Sequence, residues 1–153
     1  MKLTKIITLL LAFIIFVLPV SALASAEVLP ATYAGNTNSL IEIKNPNAAT
    51  SSTANRACVI SAVAVPGTTV TLYSYDAVNN QYVKMYSEGK ALETEVGAAG
   101  LFAQNIELKN GSNTILVVAS YGNYTETEKL EITLVKSEVA ESIINIWQTL
   151  INY

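Results

Sequence analysis

The stretch CVISAVAVPGTTVTLYSY, residues 58–75, decides the fold class. It holds two runs of small, β-branched and aromatic residues, separated by the turn pair Pro66-Gly67. Such runs are typical of strands, and successive side chains of a strand point to opposite faces. The period of two therefore places one apolar set on a single face, namely Ile60, Ala62, Ala64, Val70 and Leu72.

Further runs of the same kind follow, and each ends at turn chemistry such as Asn110-Gly111 or Gly122-Asn123. Strands spaced by about 8–12 residues, without a long amphipathic helix between them, predict an all-β fold. The predicted strands are residues 40–43, 58–64, 69–75, 82–86, 101–108, 114–119 and 129–134. We expect an antiparallel β-sandwich of about seven strands over residues 40–136.

The same alternation continues the inner face along the later strands. Its further members are Phe102, Ile106, Leu108, Ile115, Val117, Ala119, Leu130, Ile132 and Leu134. Burying each large apolar side chain stabilises a domain by about 1.5–3 kcal/mol, so this core can hold the fold without disulfides. Cys58 is the only cysteine and shares the face of Ile60. We expect a buried structural thiol there, rather than a reactive thiol or an intermolecular bridge.

Two segments carry a resemblance to a known family. Residues 60–73 resemble the opening of bacterial immunoglobulin-like domains, which commonly read I-S-G-x-A-x-P-G-x-x-V-x-L-Y, and residues 100–119 are similar to the family's ending. The resemblance implies an immunoglobulin-like sandwich over residues 40–136. For function the resemblance is not specific, because domains of this family serve as spacers, as adhesin stalks and as sugar-binding accessory modules. Ala62 departs from the family's usual glycine, and residues 76–99 form a longer, tyrosine-rich insert.

The first 26 residues have the pattern of a secretory signal peptide. Two lysines precede the apolar run of residues 6–17. Ala22-Leu23-Ala24 and Ala24-Ser25-Ala26 both offer the small residues that a signal peptidase requires. The run is shorter than the ~20 residues of a bilayer span, so we expect cleavage and no stable membrane span afterwards. The sequence thus predicts a bacterial protein that is secreted, extracellular or associated with the cell envelope.

The mature chain is acidic. Cleavage after residue 26 would remove two of the nine basic residues and none of the twelve acidic ones, which leaves a net charge of −5. Nucleic-acid binding needs clustered Lys and Arg, and the chain has no such cluster, so we expect no nucleic-acid partner. Residues 27–39 and 45–55 are rich in Ala, Thr, Ser and Asn and predict a linker and a loop.

After residue 136 the apolar spacing changes from two to about 3.6 residues. Residues 137–153 are therefore predicted to form one amphipathic helix. Its apolar arc contains Val139, Ile143, Ile146, Trp147, Leu150 and Ile151. The helix could cap the sandwich, or pair with another protomer or a partner through Trp147, or lie on a membrane. Membrane binding is disfavoured because the polar face carries no Lys or Arg.

The residue inventory argues against an enzyme. The chain has no histidine, which removes Ser-His and Cys-His nucleophile pairs and histidine metal sites. Residues 87–90, Ser-Glu-Gly-Lys, match the S-x-x-K pattern of Ser/Lys hydrolases. That mechanism needs a helical turn between Ser and Lys, whereas a glycine at a strand end favours a tight turn.

Acidic residues do not form a predicted site either. The pairs Glu93/Glu95 and Glu126/Glu128 are predicted to be solvated surface acids. Asp76 is the only aspartate, so no calcium site is expected. We therefore expect no catalytic residue, no metal site and no cofactor.

Aromatic side chains supply the predicted binding surface. If the apolar set of residues 69–75 faces the core, the tyrosines of that strand point outward, next to those of strand 82–86. Four outward tyrosines would form a tyrosine platform able to stack on sugar rings or on a protein. The candidate residues are Tyr73, Tyr75, Tyr82, Tyr86 and Trp147.

These observations predict a non-enzymatic binding or structural module that recognises a protein or an envelope polymer. One alternative is a carbohydrate-binding module that stacks glycans on the exposed tyrosines. Another is self-association through the C-terminal helix, and the most distant alternative is an unusual Ser/Lys hydrolase.

Overall fold

The structure is a computed structural model that describes residues 25–136, residue 147 and residues 149–151. Residues 1–24, which make up most of the predicted signal peptide, lie outside the described residues. Most of the predicted helix 137–153 also lies outside them. Trp147 and residues 149–151 are described and are helical. Among the described residues, no helix has the length and apolar character needed to cross a bilayer.

Extended segments bounded by turns make up most of the described chain, and the prediction of an all-β fold is confirmed. In chain order the strands are β1 (Val28–Pro30), β2 (Ile41–Asn45), β3 (Thr50–Thr53), β4 (Ala57–Ala64), β5 (Thr69–Asp76), β6 (Gln81–Lys84), β7 (Tyr86–Ser87), β8 (Lys90–Ala91), β9 (Glu93–Glu95), β10 (Leu101–Glu107), β11 (Gly111–Tyr121) and β12 (Tyr124–Leu134).

Most of these strands belong to two sheets. In the larger sheet the order is β1-β6-β5-β11-β12-β3, and β9 pairs with the part of β5 that precedes the residues paired with β6. In the smaller sheet the order is β10-β4-β2, while β7 and β8 form a separate hairpin. Within the described chain the pairing is antiparallel, except that β3 runs parallel to β12.

One apolar core lies between the two sheets. Every residue that strand alternation assigned to the inner face is buried in it, including Ile60, Leu72, Phe102 and Val117. Cys58 is half-buried against the same core, and burial raises the pKa of its thiol, as expected for a structural cysteine. The alternation of side chains along each strand explains this agreement, because a buried face requires apolar residues at every second position.

The tyrosine-rich insert is an integral part of the fold. Residues 76–99 contribute β6 and β9 to the larger sheet. Leu92 and Val96, from the same insert, are buried in the core between the sheets. Part of the insert therefore packs as framework, and its exposed residues lie at 77–80, at 86–90 around the β7–β8 hairpin, and at 94–95 and 97–99.

Two segments predicted to lack strands contain short ones. The predicted linker 27–39 includes β1, which pairs with β6, and the predicted loop 45–55 includes β3, which pairs with β12. Both are edge strands of the larger sheet. An edge strand is stabilised mainly by main-chain hydrogen bonds to one neighbour, so it needs few large apolar side chains. Composition alone therefore predicted both segments incorrectly.

A second, smaller core covers the outer face of the larger sheet. It consists of Leu29, Tyr73, Tyr82, Leu116 and Val118, with Tyr33 packed against it. We call residues 25–37 the N-terminal strap. The strap begins beside β6, passes over this second core and reaches β12, where the amides of Asn36 and Thr37 donate to the Thr125 carbonyl (2.7 and 3.2 Å).

The strap crosses β12 so closely that residue 35 has no room for a side chain. A Cβ atom on Gly35 would overlap the Thr125 carbonyl oxygen and would lie 2.7 Å from Glu126 Cα. Because both neighbours are main-chain atoms, Gly35→Ala is expected to lower the free energy of unfolding by about 1–3 kcal/mol in urea denaturation. Gly97→Ala is the matched control, since a Cβ atom there meets nothing within 4 Å. Equal effects of the two changes would contradict this close crossing.

Candidate functional site

The tyrosine platform is not formed. Tyr73 and Tyr82 lie on the outer face of the larger sheet, as strand parity predicted, but they are only 1% and 5% exposed. The prediction that they are accessible is wrong, because the N-terminal strap covers them and packs Leu29 and Tyr33 against the same cluster. The hydroxyl of Tyr73 is also engaged, since it donates to the carbonyl oxygen of Ala26 at 2.8 Å.

The other two tyrosines of the predicted platform are exposed but lie in different sheets. Tyr75 packs against the buried Tyr82 at 5.3 Å between ring centroids, with a 57° angle between the rings, and its hydroxyl donates to the Asn80 side chain at 2.7 Å. Tyr86 lies in β7, and its hydroxyl donates to the Glu27 carboxylate at 2.5 Å. No flat surface made of several rings results. The side chain of Trp147 is exposed, and its role in self-association stays a prediction.

A groove opens instead between the edges of the two sheets. We call it the edge groove. β2 is the last strand of the smaller sheet, and the described part of β12 has a strand on its outer side only from Glu131 onward. The space between them has a volume of about 720 Å³. Apolar side chains from both sheets line it, including Leu40, Ile41, Ile43, Val63 and Leu130.

Glu126 lies in the wall of the edge groove and is 4% exposed. One oxygen of its carboxylate accepts hydrogen bonds from the amides of Leu40 (2.6 Å) and Ile41 (3.1 Å). The prediction of a solvated surface acid is therefore wrong for Glu126. Its position was readable from the sequence, because Glu126 has the same strand parity as the buried Leu130 and Ile132.

The charged side chains that line the edge groove are acidic. Glu42 and Glu128 line it together with Glu126, while the described lining residues include no lysine or arginine. Glu128 is half-buried, and Glu42 is exposed and paired with Lys44. Negative charge beside apolar walls favours a ligand that carries positive charge on an apolar or extended frame.

A second polar arrangement lies under the beginning of the strap. We call it the Lys84 cluster, and it consists of Lys84, Glu27, Glu93, Ser25 and Thr71. The buried ammonium of Lys84 lies 3.3 Å from the carboxylates of both Glu27 and Glu93. It also donates to the Ser25 carbonyl oxygen at 2.5 Å. The Ser25 hydroxyl donates to the Glu93 carboxylate, which accepts a 3.4 Å hydrogen bond from Thr71 as well.

Charges in the Lys84 cluster hold each other in their ionised forms. Burial lowers the pKa of Lys84, but hydrogen bonds to Glu27 and Glu93 outweigh burial and leave the pKa above its ordinary value. Burial likewise raises the pKa of Glu93, and its contacts with Ser25 and Lys84 outweigh burial and leave the pKa below the ordinary carboxyl value. Glu93 is thus a paired, half-buried acid, which corrects the prediction of a freely solvated one.

The residues of the S-x-x-K pattern lie in a hairpin. Ser87 and Lys90 are opposite each other across the β7–β8 pair, and both are exposed. The connection between them is a two-residue turn at Glu88 and Gly89, where both residues have positive φ. This geometry differs from the helical turn that a Ser/Lys mechanism uses. Across residues 25–136, 147 and 149–151, no group of three or more Cys, Asp or Glu side chains could hold a metal ion.

The immunoglobulin-like resemblance of residues 60–73 and 100–119 stays a prediction that rests on the chain itself. The described residues establish an all-β fold of antiparallel sheets around a shared core. No protein-family model, curated protein or solved structure matches the chain.

Proposed function

We propose that this chain is an exported, immunoglobulin-like β-sandwich that works outside the cytoplasmic membrane as a non-enzymatic binding module. The charged start, apolar run and small-residue exit of residues 1–26 support export. One core shared by two β-sheets supports the immunoglobulin-like assignment. The partner is a protein, and the edge groove takes an extended segment of it.

The edge groove is the observation that carries this proposal. Its volume of about 720 Å³ falls within the range of about 300–1,000 Å³ that is typical of ligand sites. One wall is β2, an edge strand whose outer side has no strand partner in the described chain. Edge strands of this kind bind extended peptides through main-chain hydrogen bonds, while side-chain pockets supply specificity.

The charge of the edge groove indicates which kind of peptide segment it binds. Glu126 already accepts two main-chain amides, so the half-buried Glu128 is the acid with capacity for a ligand cation. The apolar side chains of Ile43, Val63 and Leu130 lie in the same groove. A segment that alternates basic and apolar residues matches both features, because alternate side chains of a strand point to opposite sides.

The glycan-stacking alternative has less support, because the strap covers two of the four tyrosines of the predicted platform, Tyr73 and Tyr82. Stacking on a sugar polymer uses exposed rings presented side by side. Tyr75 and Tyr86 are the exposed members of the predicted set in β5 and β7, and these strands belong to different sheets. The groove is lined instead by aliphatic and acidic side chains.

Glu128→Lys tests the proposal, with a fluorescein-labelled peptide of alternating valine and lysine as the probe. The change replaces attraction by repulsion, so we expect the Kd from fluorescence anisotropy to rise at least tenfold, which corresponds to about 1.4 kcal/mol. A peptide of alternating valine and glutamate should not bind the unsubstituted protein. An unchanged melting temperature would show that the variant is folded.

Glu107→Lys is the matched control because it makes the same charge change at an exposed position of β10, outside the edge groove. It should leave the Kd within about twofold, since a distant surface charge is screened by salt. If the unsubstituted protein did not bind the valine–lysine peptide, or if both variants weakened binding equally, the edge groove would not be the binding site.

A further inference from the structure

The N-terminal strap is tied to the fold from its first described residue. The Ser25 carbonyl oxygen accepts a hydrogen bond from the buried Lys84 ammonium at 2.5 Å, and the Ser25 hydroxyl contacts Glu93. The next residue is tied as well, since the Ala26 carbonyl oxygen accepts the hydroxyl of Tyr73 at 2.8 Å. Residues 25 and 26 therefore belong to the folded domain, although the sequence pattern allows them to be part of a signal peptide.

Two positions match the small-residue rule for cleavage. Cleavage at one of them would remove these contacts, whereas cleavage at the other would keep them. Cleavage after Ala26 removes Ser25 and the Ala26 carbonyl, so the hydroxyl of the buried Tyr73 loses its acceptor and Lys84 loses one of its three. Cleavage after Ala24 keeps every one of these contacts. A buried polar group left without its partner is destabilising, so the two products differ in stability.

We infer that the signal peptide is removed between Ala24 and Ser25, and that Ser25 is the first residue of the mature protein. This inference rests on the proposed export. A signal peptidase would hydrolyse the Ala24–Ser25 peptide bond with one water molecule, which leaves a carboxylate on Ala24 and an ammonium on Ser25. The new ammonium belongs to the residue whose hydroxyl contacts the Glu93 carboxylate, so its positive charge would add to the Lys84 cluster.

Intact mass spectrometry of the exported protein tests the inference, after expression of the full chain in a bacterial host. The expected mass is that of residues 25–153. A mass that starts at Glu27 would overturn the inference and leave export intact. A full-length mass found only inside the cells would overturn export and this inference together.

Two variants identify which small-residue pattern is used. Ala22→Gln changes the first pattern alone, so it should cut the yield of protein that starts at Ser25 at least tenfold. Ala26→Gln changes the second pattern alone and keeps the carbonyl that Tyr73 uses, so it should leave the yield and the Ser25 start unchanged. The opposite result for the two variants would contradict cleavage after Ala24.

Stability provides a second readout that does not depend on export. Recombinant proteins that begin at Ser25 and at Glu27 differ only in the two residues that contact Lys84, Glu93 and Tyr73. The form that begins at Ser25 should have a melting temperature higher by at least about 4 °C. Equal melting temperatures would show that these contacts do not anchor the strap.

Discussion

Tyr73→Ala is expected to lower the free energy of unfolding by about 3–5 kcal/mol. Tyr73 is 1% exposed and packs with Leu29, Tyr82, Leu116 and Val118 beneath the N-terminal strap. Truncation leaves a cavity the size of a ring and removes the hydrogen bond from Tyr73 to Ala26 in the strap. Domains of this size have a total stability of about 5–15 kcal/mol, so urea denaturation should show a large shift of the midpoint.

Tyr75→Ala is the matched control for this prediction, because it makes the same change two residues along β5 on the same face. Tyr75 lies beyond the covered area and is 36% exposed, so its loss should cost less than half as much. Tyr73→Phe separates the ring from the hydroxyl and should cost about 0.5–1.5 kcal/mol for the hydrogen bond to Ala26. If Tyr73→Ala cost no more than Tyr75→Ala, the strap would not cover the tyrosines in solution.

The core between the sheets could be predicted because strand alternation is a local property. Ile60, Val70 and Val117 each have neighbours in sequence that reveal the period of two, and the structure buries all three completely. A shift of one residue would turn the whole apolar set of a strand outward, so the sequence pattern determines the buried face strongly.

The N-terminal strap could not be predicted because its stabilising contacts are distant in sequence. β1 pairs with β6, and Gly35 lies against Thr125, about ninety residues further along the chain. The short segment Val28–Pro30 has no period to detect, and its proline is tolerated since an edge strand leaves some amides unpaired. Strand alternation places Tyr73 on the outer face, in agreement with the structure, but no local pattern identifies the segment that covers it.

The edge groove arises from the placement of whole strands. β2 and β12 belong to different sheets, and the space between them depends on how far β3 extends along β12. Glu126 is the part of this site that sequence could have revealed, because an acid at an inner-face position needs a partner. Its partners are the amides of Leu40 and Ile41, which strand alternation does not identify.

Ile60→Ala is expected to lower the free energy of unfolding by about 2–5 kcal/mol. Ile60 has no exposed surface and lies in β4, the central strand of the smaller sheet, where it faces the core shared with the larger sheet. The neighbouring strands β2 and β10 are fixed by pairing with β4, so the cavity cannot collapse easily. Chemical denaturation with an unchanged m value would measure the loss as a change in stability alone.

Val59→Ala is the matched control for Ile60→Ala. Val59 is adjacent to Ile60 on the same strand but points to the opposite face, where it is 46% exposed. Its truncation should cost at most about 1 kcal/mol, since only strand propensity and partial burial are lost. Ile60→Ala removes three side-chain carbons and Val59→Ala removes two. A difference well above the ~0.8 kcal/mol of one buried carbon would therefore show which face of β4 is turned inward. A larger loss for Val59→Ala would mean that β4 is turned over, which would contradict the inner face assigned to the smaller sheet.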